Sequence, residues 1–311
     1  MESILPSPTT PSSISTHSAS TAPASVALEE LCGNGGAPTI QFTNPEDLIQ
    51  NIKNVNVSGD HDCLIVKDVS PTDFTEIESK VGGVRFHYFG HLSLLIVTIP
   101  TQRHEYLHRQ LYDIVRDRMR QQGKDPNRDF WPVGSGRFSV GGNHPGRGAG
   151  EGDSAGKPLP ELEWEDAWPT LVIEAGYSMS LAQLRAIMRW WFSASDHQVK
   201  IVIVVKLLDN QQQIIVQKWE EELPQAPYGM ITRSQAAVLQ QQPALQQEIT
   251  INRDSTTTPP SYQVTRGALI LGFRQLFLQE PGPDNGDIVI SVEDLQGYAD
   301  YFWRVRLGTP G

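Results

Sequence analysis

The chain has 311 residues, 39% hydrophobic and 20% charged, which gives room for one large domain or two small ones around a sizeable core. Its formal net charge of −11 excludes a protein that coats nucleic acid through overall charge, but not one with a small local basic groove. No apolar run approaches the roughly 20 residues of a membrane-spanning helix, and two cysteines, Cys32 and Cys63, make neither a disulfide framework nor a paired metal knuckle, so the expected compartment is intracellular and reducing, nucleus or cytoplasm unresolved.

Residues 1–36 are Ser, Thr, Pro, Ala and Gly with few large apolar groups, a composition that predicts a disordered tail. It lacks the basic start and apolar core of a signal peptide and the arginines of a mitochondrial presequence. The core is expected over residues 37–221. Pro45 to Ile52 reads as a short helix, Cys63 to Val66 as a short strand, and Val84–Phe89 with Leu92–Ile99 as a hairpin turning at Gly90-His91. Thr101 to Gln121 is the clearest amphipathic helix, with Thr101 as N-cap and Leu107, Leu111, Ile114, Val115 and Met119 as its apolar stripe. It carries five arginines, a basic face in an acidic protein.

Glycine-rich sequence from Gly134 to Lys157 predicts a loop or linker with a short strand at Phe138-Ser-Val. It is no P-loop, because no Gly-Lys-Ser/Thr follows. Thr170 to Ile173 is a buried strand closed by Glu174, followed by a helix from Ser178 or Ser180 to Ser193 and a second apolar strand, Val199 to Leu208. That is a strand–helix–strand unit of a parallel sheet. Gln211–Trp219 returns as a hairpin, 222–262 reads as a Gln- and Pro-rich insert or linker, partly helical or disordered, and 263–311 supplies a strand over Gly267–Leu278 and a helix capped by Ser291, packing on the core.

Three acids stand out by position: Glu105 in the first turns of the long helix, Asp153 in the glycine-rich stretch, and Glu174 at the end of the central strand. The order of helix with acid, Asp, strand with Glu, helix, strand resembles the PD-(D/E)xK nuclease superfamily, the restriction-endonuclease-like fold. More closely, the chain is similar to a group of largely uncharacterised fungal proteins placed in that superfamily. The likeness rests on Leu-Leu-Ile-Val-Thr-Ile-Pro before His104-Glu105, Glu-Gly-Asp153, Trp-Pro-Thr-Leu-Val-Ile-Glu174-Ala-Gly-Tyr-Ser, Leu184-Arg, Arg189-Trp-Trp and Val199-Lys200-Ile-Val, over roughly residues 84 to 220.

The resemblance implies an α/β fold with a mixed sheet flanked by helices and a divalent-metal-dependent nuclease acting on DNA or RNA. It implies Mg²⁺ or Mn²⁺ held by Asp153 and Glu174, with the Ala175 carbonyl helping and Glu105 supporting from the helix. The superfamily's lysine belongs two residues after the strand acid, where this chain has Gly176. Lys200 is the candidate migrated lysine, and Arg185 the second choice. Where the fungal group often has a helix Asp, this chain has Ile187. These departures keep open an inactive nuclease-fold module that binds protein or nucleic acid.

Structural roles compete at each position. Glu174 could be bonded to backbone N–H groups, Asp153 could form an Asx-turn, and Glu105 suits a first helical turn through the helix dipole. Lys200 could be a strand-end lysine with a buried stem. Trp190 and Trp191 read as core aromatics before a base-stacking role. His104-Glu105-Tyr-Leu-His108 also fits His-Glu-x-x-His, a zinc-peptidase pattern, although no third ligand is evident and Arg109 follows directly.

Overall fold

The computed structural model describes residues 28–32, 36–134, 136–140, 148–222 and 241–307. The expected disorder of residues 1–27, the loop at 141–147 and part of the insert, 223–240, lie outside the described residues.

The described chain is a mixed α/β protein whose sheets are flanked by helices. Strands β1 (Thr39–Gln41), β2 (Cys63–Lys67), β3 (Arg85–Phe89), β4 (Leu94–Thr98), β6 (Arg137–Ser139) and β7 (Ala149–Glu151) form one mixed sheet, ordered β1-β2-β4-β3-β7-β6. Strands β5 (Phe130–Pro132), β8 (Ser154–Pro158), β9 (Leu171–Gly176), β10 (Ile201–Leu208), β11 (Gln213–Glu222), β12 (Gln242–Asp254) and β13 (Ser261–Thr265) form a second, ordered β13-β12-β11-β10-β9-β8-β5. A ribbon of β14 (Leu269–Leu271) and β15 (Ile288–Ile290) stands apart.

The helices are α1 (Leu28–Cys32), α2 (Pro45–Ser58), α3 (Pro71–Lys80), α4 (Gln102–Gln121), α5 (Leu181–Ala194), α6 (Phe273–Phe277) and α7 (Val292–Leu307). Three apolar cores divide the layers. Helices α2 and α3 cover the outer face of the first sheet through Leu48, Phe74 and Ile77. Helix α5 lies between the sheets, packing Leu184, Met188 and Trp191 against Val172, Val202 and Val204 of one and Ile65, Phe89 and Ile96 of the other. Helices α4, α6 and α7 close the far face of the second sheet against Ile173, Ile203 and Val205.

Local chemistry explains the elements that frame the site. Thr101 caps α4 by accepting the His104 N–H at 3.2 Å, and Leu107, Leu111, Val115 and Met119 are fully buried along its stripe. Ser180 and Gln183 form a reciprocal capping box at the start of α5. The apolar run of β10 is buried on both faces, as its position between β9 and β11 demands. Strands β9 and β10 are parallel, Leu171 opposite Ile201 through Gly176 opposite Lys206, so the strand–helix–strand unit forms as its sequence predicts.

Elsewhere the structure corrects the sequence reading. The glycine-rich stretch is not a linker where it is described, because β7 and β8 within it are fully buried. Gly150 lets β7 pass close to α5: a Cβ there would lie 2.4 Å from the Trp190 ring. The end of the supposed tail is helix α1, with Leu31 buried and its carbonyl accepting from Gln183 Nε2 at 2.7 Å. From Gln242 the supposed insert is strand, and β12 is 13 residues long. Residues 267–278 are a three-residue strand followed by α6, where Phe273, Leu276 and Phe277 bury one face at helical spacing. No helix among the described residues is long and apolar enough to cross a membrane.

Candidate functional site

The chain leaves the first sheet at Glu151 and enters the second at Ser154, so Asp153 sits on the seam between them. Strand β8 runs antiparallel to β9 with Ser154 opposite Ile173, and one step further the same register sets Asp153 against Glu174. Ile173 and Ala175 point into the core under α4, Val172 into the core under α5. Glu174 therefore faces α5, where Trp191 Nε1 donates to its Oε1 at 2.6 Å. His87 Nε2 lies 3.5 Å from that same oxygen.

Asp153 Oδ2 accepts the Ala175 N–H at 2.8 Å. Its Oδ1 lies 2.9 Å from His104 Nε2 and 3.5 Å from Arg85 Nη1. Arg85 also donates through Nη2 to Glu105 Oε1 at 2.7 Å. His108 Nε2 is 3.3 Å from that oxygen, while Glu105 Oε2 faces Arg109 Nε at 2.5 Å. Arg85 feels the charge of all three acids. The fold thus gathers Glu105, Asp153 and Glu174 around one guanidinium. Glu105 is the member nearest solvent, its side chain 19% exposed against 2% for Asp153 and 3% for Glu174.

Behind this group lies a second layer of contacts. Asp62, fully buried, accepts the backbone N–H groups of Tyr177 at 2.8 Å and Ser178 at 3.0 Å and pairs with His104 Nδ1 at 3.1 Å. His108 Nδ1 meets the Ser154 hydroxyl at 2.8 Å. These contacts fix the start of α4 to the loop after β9 and to the start of β8.

The charges are unevenly shared among the acids. Burial works against ionisation of Asp153, but His104, His108 and Arg85 outweigh it and hold the carboxyl well below the usual range. Burial likewise opposes Glu105, but His108 and Arg85 lower it to about 2. His104 is resisted by burial, yet Asp153 and Asp62 lift it to about 10, so it stands as an imidazolium. His108 is pushed below its ordinary value by burial. Glu174 goes the other way: burial raises it, and Asp153 adds to the rise beyond what His87 and Trp191 return. Asp62, Glu105 and Asp153 thus face Arg85, His104 and Arg109, while burial shifts the Glu174 carboxyl the other way, above its ordinary range. His87, 1% exposed, adds a buried ring whose two nitrogens find no hydrogen-bond partner.

This donor set fits a hard divalent cation. A carboxylate has about four lone-pair positions. At Asp153, Oδ1 serves His104 and Arg85, and Oδ2 serves the Ala175 N–H and has a second pair. At Glu174, Oε1 accepts from Trp191 with His87 Nε2 standing off at 3.5 Å, and Oε2 accepts from no described residue. Acceptor capacity therefore remains on both acids. The side chains of His104, Glu105 and His108 also bring three ligand atoms within 4.8 Å of one another, so the His-Glu-x-x-His pattern is geometrically compact. Both nitrogens of His104 are engaged by carboxylates, however, and a zinc ligand must be a neutral imidazole with a free lone pair.

The lysine expectation is not met in space. Lys200 Nζ donates to the His197 carbonyl at 2.7 Å, and Lys200 precedes Val204, the register partner of Glu174, by four residues, roughly 13 Å of strand. It stands at the opposite end of β9 from the acids. Arg185 turns toward β11 and β12, with Nε on Gln217 at 3.1 Å and its guanidinium over Trp219. Ile187 is wholly buried in the core around α5. A side chain at Gly176 would begin against Met179 and Leu184, not toward Asp153. Lys206, the register partner of Gly176, gives its Nζ to the Tyr177 carbonyl at 2.5 Å.

Arg85, His87 and Asp62 were not singled out by the sequence reading. The signal for the first two lies in β3, where Arg85 and His87 alternate with Phe86 and Tyr88. A polar residue at every second position of a wholly buried strand marks an inward polar face. No family model matches the chain, and no curated protein matches it.

Proposed function

We propose that this chain is a divalent-metal-dependent phosphodiester hydrolase of the PD-(D/E)xK type, with the restriction-endonuclease-like fold and DNA or RNA as substrate. The observation that carries the reading is the cross-strand opposition of Asp153 and Glu174, with Glu105 beside them and acceptor capacity left on both strand acids. The order α4, β5, β8, β9, α5, β10, with the last two strands parallel, supports it. Mg²⁺ or Mn²⁺ prefers oxygen donors of this kind. Bound there, the cation supplies a lowered water pKa and charge stabilisation at the phosphate.

The chain's own groups have distinct tasks in this reading. Asp153 and Glu174 hold the ion. Trp191 and the Ala175 N–H fix their orientation. Glu105, the least buried acid, lies at the solvent side of the cluster with Arg109, whose exposed guanidinium suits an approaching phosphate.

The test is cleavage of single- and double-stranded DNA and RNA in Mn²⁺. Wild type cuts at least one of them, and Glu174→Ala cuts none. A wild type that cuts nothing overturns the reading in favour of a nuclease-fold binding module, a role that the deep burial of Asp153 and Glu174 fits. A zinc peptidase site on His104, Glu105 and His108 is the further alternative, favoured by the compactness of that group. It requires His104 to release a proton and a carboxylate, and it predicts stabilisation by Zn²⁺ in preference to Mn²⁺.

A further inference from the structure

We infer that Arg85, from the neighbouring sheet, takes the part of the lysine missing at Gly176. The inference rests on the metal-dependent reading and adds a residue to it. A nuclease centre needs a cationic donor near its two strand acids, because negative charge grows on the phosphoryl oxygens during hydrolysis. In that step a water oxygen bonds to phosphorus and gives its proton to solvent. The bond to one ester oxygen breaks, and that oxygen leaves as an alcohol after taking up a proton.

The chain cannot place a lysine at position 176 to serve this step. The side chain would start among Met179 and Leu184, in the apolar core around α5. Lys200 is roughly four strand residues away, and Lys206 is held by the Tyr177 carbonyl beside Asp62. The cations within reach of Asp153 are His104 and Arg85. His104 is wholly buried between Asp62 and Asp153, with no fork of donors to offer. Arg85 is different: its planar fork spans Asp153 and Glu105 and feels Glu174 as well. Such a fork matches the geometry of phosphate oxygens.

A second observation marks the same place. His87 lies two residues from Arg85 on β3 and so on the same face of the strand. Its ring is buried, lacks a hydrogen-bond partner at both nitrogens and comes to 3.5 Å from Glu174 Oε1. A buried polar ring with no partner beside a buried carboxyl indicates a centre built for a further polar occupant. Strand β3 therefore contributes two groups aimed at the acids of β8 and β9. The reaction centre lies between the two sheets, not on one of them.

Arg85 then has two opposed effects, and that opposition makes the inference testable. As a resident cation beside Asp153 it competes with the divalent ion. As a donor to the phosphate it promotes cleavage. A merely structural arginine does only the first, so the cleavage rate decides. The experiment compares wild type, Arg85→Ala, Arg85→Lys and Lys200→Ala in Mn²⁺ binding by calorimetry and in cleavage kinetics, with far-UV circular dichroism to confirm folding.

Arg85→Ala binds Mn²⁺ at least about tenfold more tightly, since a neighbouring opposite charge changes a carboxylate's proton affinity by roughly ten- to a thousandfold. Its kcat falls about 10²–10³-fold, the usual loss for one transition-state donor. Arg85→Lys recovers part of that kcat, and Lys200→Ala matches wild type in both measurements. A folded Arg85→Ala that cuts at the wild-type rate, or that binds Mn²⁺ more weakly than wild type, overturns the inference and leaves the metal reading standing. A wild type that binds no Mn²⁺ overturns both. If Arg85→Ala does not fold, Arg85→Lys decides alone: a kcat at least about threefold below wild type with unchanged Mn²⁺ affinity supports the role, and a wild-type kcat refutes it.

Discussion

Asp153 and Glu174 face each other across one strand pairing, and burial opposes ionisation of both, yet their net pKa shifts run in opposite directions because the nearby cations are unequally shared between them. Arg85 and His104 both reach Asp153, whereas Glu174 has a tryptophan N–H and a long contact to His87. That asymmetry suits the proposed cation site, since a bound metal would supply the positive charge that Glu174 has no close partner for. His104 is tied to the same balance. Its folded pKa of about 10 lies above the ordinary histidine value, so its pairing with Asp62 and Asp153 stabilises the fold fully below about pH 6.5. The stabilisation is lost as pH rises through about 10. The difference in melting temperature between wild type and His104→Gln therefore shrinks between pH 7 and pH 10.5; a difference that stays constant over that range contradicts the assignment of an imidazolium.

Elements with strong local signals were legible in the sequence. The stripe of α4 and its Thr101 cap, the serine cap of α5 and the apolar runs of β9 and β10 all form close to where periodicity places them. Elements whose identity depends on remote partners were not. Strands β7 and β8 are rich in glycine and small residues because Trp190 and Phe130 press on them, so in sequence they look like a linker. Strand β12 carries Gln and Glu on one face and is defined by its pairing with β11 and β13. The three acids were legible as motif positions, but the cation among them was not, because Arg85 comes from a strand that reads simply as one arm of a hairpin. At this scale, Ser180→Ala removes the side-chain acceptor of the α5 cap. Chemical denaturation should show a loss of about 1 kcal/mol with Mn²⁺ affinity unchanged. A large change in affinity would mean that α5 holds Trp191 and Glu174 through its first turn.

For the whole molecule, the location of the centre between two sheets has a consequence for cooperativity. The core around α5 draws residues from both sheets, and Asp62, Arg85 and His87 of the first side bind groups of the second. Neither sheet can open without exposing shared apolar surface and parting contacts buried between them. Urea unfolding followed by tryptophan fluorescence, which senses Trp168, Trp190 and Trp191 in that shared region, should coincide with unfolding followed by circular dichroism. Two separated midpoints would show that the sheets fold as independent units and that the centre is only a surface of contact.

The central claim is that Asp153 and Glu174 together hold one divalent cation, and the most direct measurement is a Mn²⁺ titration followed by electron paramagnetic resonance on wild type and Glu174→Gln at neutral pH. The predicted result is one site filled at or below millimolar Mn²⁺ in wild type, displaced by Mg²⁺ and lost in Glu174→Gln. A wild type that leaves all Mn²⁺ free in solution, or a Glu174→Gln protein that binds it as well as wild type, contradicts the account.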